Sequence, residues 1–102
     1  VAIYVNRDKA KFYLSDAPED KCFFMKDGTV LRNVYNLRDK LANTSQEEYN
    51  VYVSRINSDF ANWVGGVFEN SRLEKGLNKA RTPKEARLYL DRNIQMLERN
   101  TR

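Results

Sequence analysis

The sequence predicts a predominantly helical α+β domain, an N-terminal β-hairpin region followed by about five helices. Asp27-Gly28 stands between an aromatic run and Thr29-Val30-Leu31, as a hairpin turn requires. Two N-cap signatures, Ser45-Gln46-Glu47-Glu48 and Thr82-Pro83-Lys84-Glu85, mark helix starts farther along. From Val34 onward, apolar residues recur at intervals of three and four, the period of one helix face.

In chain order, "VAIYVNRDKAKFYL" places β-branched and aromatic residues around the polar Asn6-Arg7-Asp8-Lys9, which predicts two short strands joined by a turn. "SDAPED" then interrupts regular structure, because proline disfavours helix at the preceding residue and Ser and Asp favour turns. A hairpin follows over about 21–32, with Asp27 and Gly28 as the positive-φ pair of a two-residue type I′ turn. Asn33 caps a helix whose Leu37 and Leu41 lie one turn apart on the same face.

Ser45 and Glu48 form a capping box that opens the next helix. Its apolar series Tyr49, Val53, Ile56, Phe60, Trp63 and Val67 keeps alternating spacings of four and three, so periodicity favours one helix over about 46–69. Asn57 and Ser58 are cap residues and favour two helices; two is the preferred reading. "NSRLEKGLNKA" predicts another helix with Leu73, Leu77 and Ala80 on one side. The last helix, about 83–99, carries Ala86, Leu90, Ile94 and Leu97 as its core stripe, flanked by Tyr89 and Met96.

With 102 residues, the chain fits one compact domain over 1–102. It contains no histidine, which removes Ser-His and Cys-His nucleophilic pairs and most transition-metal sites. No cofactor is expected, and catalysis would rest on carboxylates, Lys, Tyr or Cys22. The lone Cys22 favours a reducing, cytoplasmic setting, and beside Phe23 and Phe24 it reads as a small buried residue. No apolar run approaches the ~18 residues of a membrane span, so no membrane association is expected. Asp16, Glu19, Asp20 and Asp27 lack calcium-loop spacing and read as a turn-rich acidic loop.

Charge is uneven. Residues 1–70 carry nine Lys/Arg against ten Asp/Glu, and residues 71–102 carry nine against four. On the last helix, Lys84, Arg87, Arg92 and Arg99 share the polar face with Asp91, Gln95 and Glu98, and Arg87 is spaced to pair with Asp91. A solvated mixed-charge face is the better reading of these cations, with phosphate binding the alternative. Tyr35 and Leu88 fall off the core stripes and are candidates for a docking surface.

The stretch "NSDFANWVGGVF" sets Gly65-Gly66 within a helical span, where each glycine costs roughly 0.5–1 kcal/mol relative to alanine. Asn62, Gly65 and Gly66 lie opposite the inward residues. Close approach of another backbone is the first explanation, a helix break the second and room for a ligand the third.

The segments "CFFMKDG", "LRNVYNLRDKL", "SQEEYNVYV" and "SDFANWV", over about residues 20–80, resemble an uncharacterised archaeal and bacterial small-domain family. Its pattern is an aromatic-Asp-Gly hairpin, a Leu-rich helix and an Asn-Asp-Phe-x-x-Trp-Val/Ile helix. This chain has Ser58 where the family often shows Asn and Tyr52 where it shows His. The resemblance implies a compact α+β domain, often appended to longer proteins, and implies no activity. The expected function is a non-catalytic protein-interaction or regulatory module docking on a protein partner or adjacent domain; the alternative is a small basic nucleic-acid-binding protein.

Overall fold

The computed structural model describes residues 5–101. Its first element is α1, Arg7–Leu14, where the sequence predicts strand-turn-strand. The polar segment read as a turn is instead a helix start: the Asn6 side chain accepts the Lys9 amide at 2.8 Å, and Asp8 sits in the positively polarised first turn. The part of that prediction covering residues 1–4 lies outside the described residues.

A 3₁₀ turn, Glu19–Lys21, leads into β1, Phe23–Phe24, which pairs antiparallel with β2, Val30–Leu31. The register sets Phe23 opposite Leu31 and Phe24 opposite Val30. The turn differs from the two-residue type predicted. The Met25 amide donates to the Thr29 carbonyl at 2.8 Å and the Gly28 amide to the Met25 carbonyl at 3.1 Å, which leaves Lys26-Asp27-Gly28 as a three-residue loop. Only Gly28, at φ 92°, takes the left-handed conformation there. Asp27 serves through its carboxylate, which accepts the Thr29 amide at 2.9 Å and Lys40 Nζ at 2.7 Å. The Lys40 hydrogen bond, then the Thr29 amide, hold its carboxyl well below the usual carboxylate range.

Helix α2, Val34–Leu41, is capped by Asn33, and α3, Gln46–Tyr52, by the reciprocal Ser45 and Glu48 bonds of the capping box. Helix α4, Asp59–Val67, starts anew with Ser58 accepting the Ala61 amide. Two helices therefore replace the single one that periodicity allows. Between them, Val53 bridges Ser58 and the Ser54 amide donates to the Asn57 carbonyl at 2.7 Å. Ile56, which keeps the three-four spacing, falls in this turn and is 96 % exposed. Helix α5, Ser71–Lys79, and helix α6, Pro83–Arg99, follow.

The core has an aliphatic and an aromatic part. Ala86, Leu90, Ile94 and Leu97 of α6 are all buried, and α6 packs against α1, α2 and α5. Helix α4 packs along α5 and supplies Phe60, whose ring lies 5.1 Å from Phe23, 5.3 Å from Tyr52 and 6.0 Å from Tyr49. Trp63 meets Phe68 edge-on and donates its indole N–H to the Lys21 carbonyl at 2.8 Å. Tyr52 packs on Phe23 and accepts the Lys26 amide, so it ties α3 to the hairpin. Cys22 is buried, with its Sγ 3.5 Å from the Pro18 carbonyl. No helix among the described residues is long and apolar enough to cross a membrane.

Tyr49 supplies a test of this packing. It is buried, its hydroxyl donates to the Ala80 carbonyl at 3.4 Å, and burial, then the Glu85 charge, push its pKa up to about 12. The unfolded value is about 10. A raised folded-state pKa gives stability that is fully present below about pH 10 and is lost as pH rises through the folded value. Thermal denaturation of the wild-type protein is therefore expected to fall more steeply between about pH 10 and 12 than that of Tyr49→Phe; parallel curves would contradict it.

Candidate nucleic-acid interface

Helices α5 and α6 are joined by a short connection and pack side by side. Helix α5 begins just after Glu69, whose φ of 56° is left-handed, and the Asn70 amide donates to the Val64 carbonyl, closing the end of α4. The Asn70 side chain then has two tasks. Its Oδ1 accepts the Leu73 amide as the α5 cap, and its Nδ2 donates to Asn93 Oδ1 at 2.9 Å. The cap bond fixes which Asn70 atom is oxygen. The Asn93 amide is thereby oriented too: its oxygen faces Asn70 and its Nδ2 makes no hydrogen bond among the described residues.

Asn93, 6 % exposed, lies at the floor of a groove of about 630 Å³ between α5 and α6. Arg72, Lys75 and Lys79 line it from α5, and Arg92 and Arg99 from α6. On α5 the spacing is three then four, and on α6 it is seven, so each set lies along one side of its helix. Five of the eight described basic residues in 71–101 thus line one groove, and none of the four acidic ones does.

The acids have been drawn elsewhere. The Glu74 carboxylate lies over Gly65 on α4. Glu85 accepts the Arg81 amide at 2.7 Å, and Glu98 accepts the Tyr35 hydroxyl at 3.0 Å. Asp91 lies 3.9 Å from Arg38 Nε of α2. The Arg87–Asp91 pair expected from the i,i+4 spacing does not form among the described residues; Arg87 Nε is instead buried without a hydrogen-bond partner. Lys84, Arg92, Gln95, Glu98 and Arg99 are exposed, as a solvated mixed-charge face requires, but the last helix divides the two signs across that face. Its acids face α2 and the cap while Arg92 and Arg99 face the groove.

Other sequence-predicted residues are dispersed. Of the four α6 cations, Arg92 and Arg99 line the groove, whereas exposed Lys84 and half-buried Arg87 do not. Tyr35 is half-buried; besides its bond to Glu98, it carries the Arg38 guanidinium 5.4 Å above its ring. Burial, then the Glu98 bond, raise its pKa. Leu88 is 48 % exposed on the polar side of α6. Asn62 donates to Asn57 Oδ1 at 2.8 Å and braces the turn before α4. Helix α4 runs unbroken through both glycines. Gly65 admits the Glu74 side chain, where a Cβ would collide with the carboxylate, and Gly66 faces open space. The neighbour at Gly65 is thus a side chain rather than the backbone first expected.

Arg72, Lys75, Lys79, Tyr89 and Asn93 escape a reading confined to α6 cations. The three-four spacing of the α5 cations was a visible signal, but their convergence with α6 depends on how the helices dock. Gly76 had no sequence mark either. A Cβ there would stand 2.6 Å from Tyr89 Cδ1, so only glycine lets that ring settle against α5. Among the described residues, no group of His, Cys, Asp and Glu is placed to hold a metal ion. No family model, curated protein or solved structure matches this chain.

The two glycines separate by substitution. Gly66→Ala is expected to stabilise the protein by about 0.5–1 kcal/mol, because it removes a helix-interior glycine into open space. Gly65→Ala is expected to gain less, because Glu74 must swing away. In a Glu74→Ala background, denaturant titrations should show the two alanine substitutions becoming equivalent; an unchanged difference would remove Glu74 as the cause.

Proposed function

We propose that the protein is a non-catalytic binding module that holds the phosphate backbone of a nucleic acid in the groove between α5 and α6. The observation that supports this most is the segregation of charge: five cationic side chains from two helices line one groove with no acidic residue among them. Clustered Lys and Arg neutralise phosphates and release their counterions, which drives association. Arginine adds planar donors that match phosphate oxygens two at a time. A protein partner or adjacent domain with an acidic face is the competing occupant, and it is the one expected from the sequence.

Binding to an oligonucleotide should weaken steeply with salt, with a log–log slope of up to about −3.5 for a single strand if all five cations meet phosphates. Replacing Lys75 and Arg92 by Gln should make the slope shallower by about 0.7 per residue and leave the melting temperature unchanged, since both side chains are exposed. Mobility-shift titrations at two salt concentrations measure this directly. No binding at low salt would remove the proposal and leave the acidic protein partner.

A further inference from the structure

Inside the cationic rim, the groove has a floor of different chemistry. Tyr89, Asn93 and Met96 stand at positions i, i+4 and i+7 of α6, along the side that faces α5, and all three line the groove. Tyr89 and Met96 are half-buried, and the Tyr89 ring rests against the Gly76 backbone. Between them the Asn93 Nδ2 offers an N–H that no acceptor meets among the described residues. An aromatic ring, a thioether and one oriented amide donor suit a flat heterocycle with acceptors on its edge better than they suit a hydrated phosphate.

Building on the phosphate reading above, we infer that the groove takes a single strand, with one unpaired base seated on the floor between Tyr89 and Met96 and its edge accepting from Asn93 Nδ2. The rim cations then follow the sugar-phosphate backbone on either side. Cations of both helices line the groove, so a strand laid along it meets Arg72, Lys75 and Lys79 on one side and Arg92 and Arg99 on the other. A duplex stacks its bases inside and cannot turn a ring face toward this floor. Arg72 to Lys79 spans ~10 Å along α5, a length that fits a few nucleotides.

The decisive comparison changes the ligand, so the fold stays intact. Fluorescence anisotropy on the full chain would use three labelled probes of equal length: a single strand, the same strand made abasic, and a duplex. The base-bearing strand is expected to bind on the order of tenfold more tightly than the abasic one, since stacking on an aromatic side chain adds affinity base by base. Both strands should show the same salt slope, because they carry the same phosphates.

The duplex should bind more weakly than the base-bearing strand. Tyr89→Leu should erase the preference for bases and keep the salt slope, whereas Tyr89→Phe should retain both; a melting curve for each variant confirms that it is folded. Equal affinity for abasic and base-bearing strands, or preference for the duplex, overturns the seated base while leaving phosphate binding in place. Failure of all three probes to bind at low salt overturns the phosphate reading and this inference together.

Discussion

Burial of the α6 stripe, Ala86, Leu90, Ile94 and Leu97, is the contact on which the other helices depend. Helices α1 to α5 are seven to nine residues long. Isolated helices shorter than ~12–15 residues are marginal in water, because nucleation fixes several residues before propagation repays it. At 17 residues, α6 alone exceeds that length, and α1, α2 and α5 all pack on it. Helix α4 is held through α5, and the hairpin through the aromatic group around Phe60. Each short helix also has a side-chain N-cap, which secures its N-terminal end but supplies little of its apolar burial.

The same docking sorts the charges. Once α6 turns its apolar stripe inward, Glu98 and Asp91 meet Tyr35 and Arg38 of α2, and Glu74 of α5 falls over Gly65 of α4. The cations left between α5 and α6 have no such neighbours in the groove lining. A region whose sequence mixes nine basic and four acidic residues thereby exposes a basic groove. Electrostatic identity here is a product of packing. It arises from which acids find partners elsewhere, so composition alone understates it.

The Asn70–Asn93 hydrogen bond joins these levels. Asn70 is 3 % exposed and serves at once as the α5 cap and as the donor that orients Asn93. A buried donor left without its partner costs about 1–3 kcal/mol, so the pair resists sliding of α5 along α6. Asn93 also lines the groove, so the bond fixes its side chain there. Positioning by a satisfied polar contact within the core gives a more fixed donor than a surface side chain would provide.

What the sequence determined by itself is what a few neighbouring residues can settle. The capping box at Ser45, the caps at Asn33, Ser58 and Thr82, the hairpin at Asp27-Gly28 and the core stripe of α6 were all legible, because each rests on spacings of a few residues along the chain. Local signals competed at two places. Asn6 read as a turn residue when it is a helix cap, whereas at Ser58 the cap signal rightly outweighed the helical period that Ile56 keeps, and two helices form as preferred. Tertiary structure alone decided which side chains would meet across the sequence: Glu74 with Gly65, Tyr89 with Gly76, Arg38 with Asp91, and Asn70 with Asn93. Spacing along a chain specifies one face of one helix. A groove needs two such faces and the angle between them, which the packing of α5 on α6 supplies.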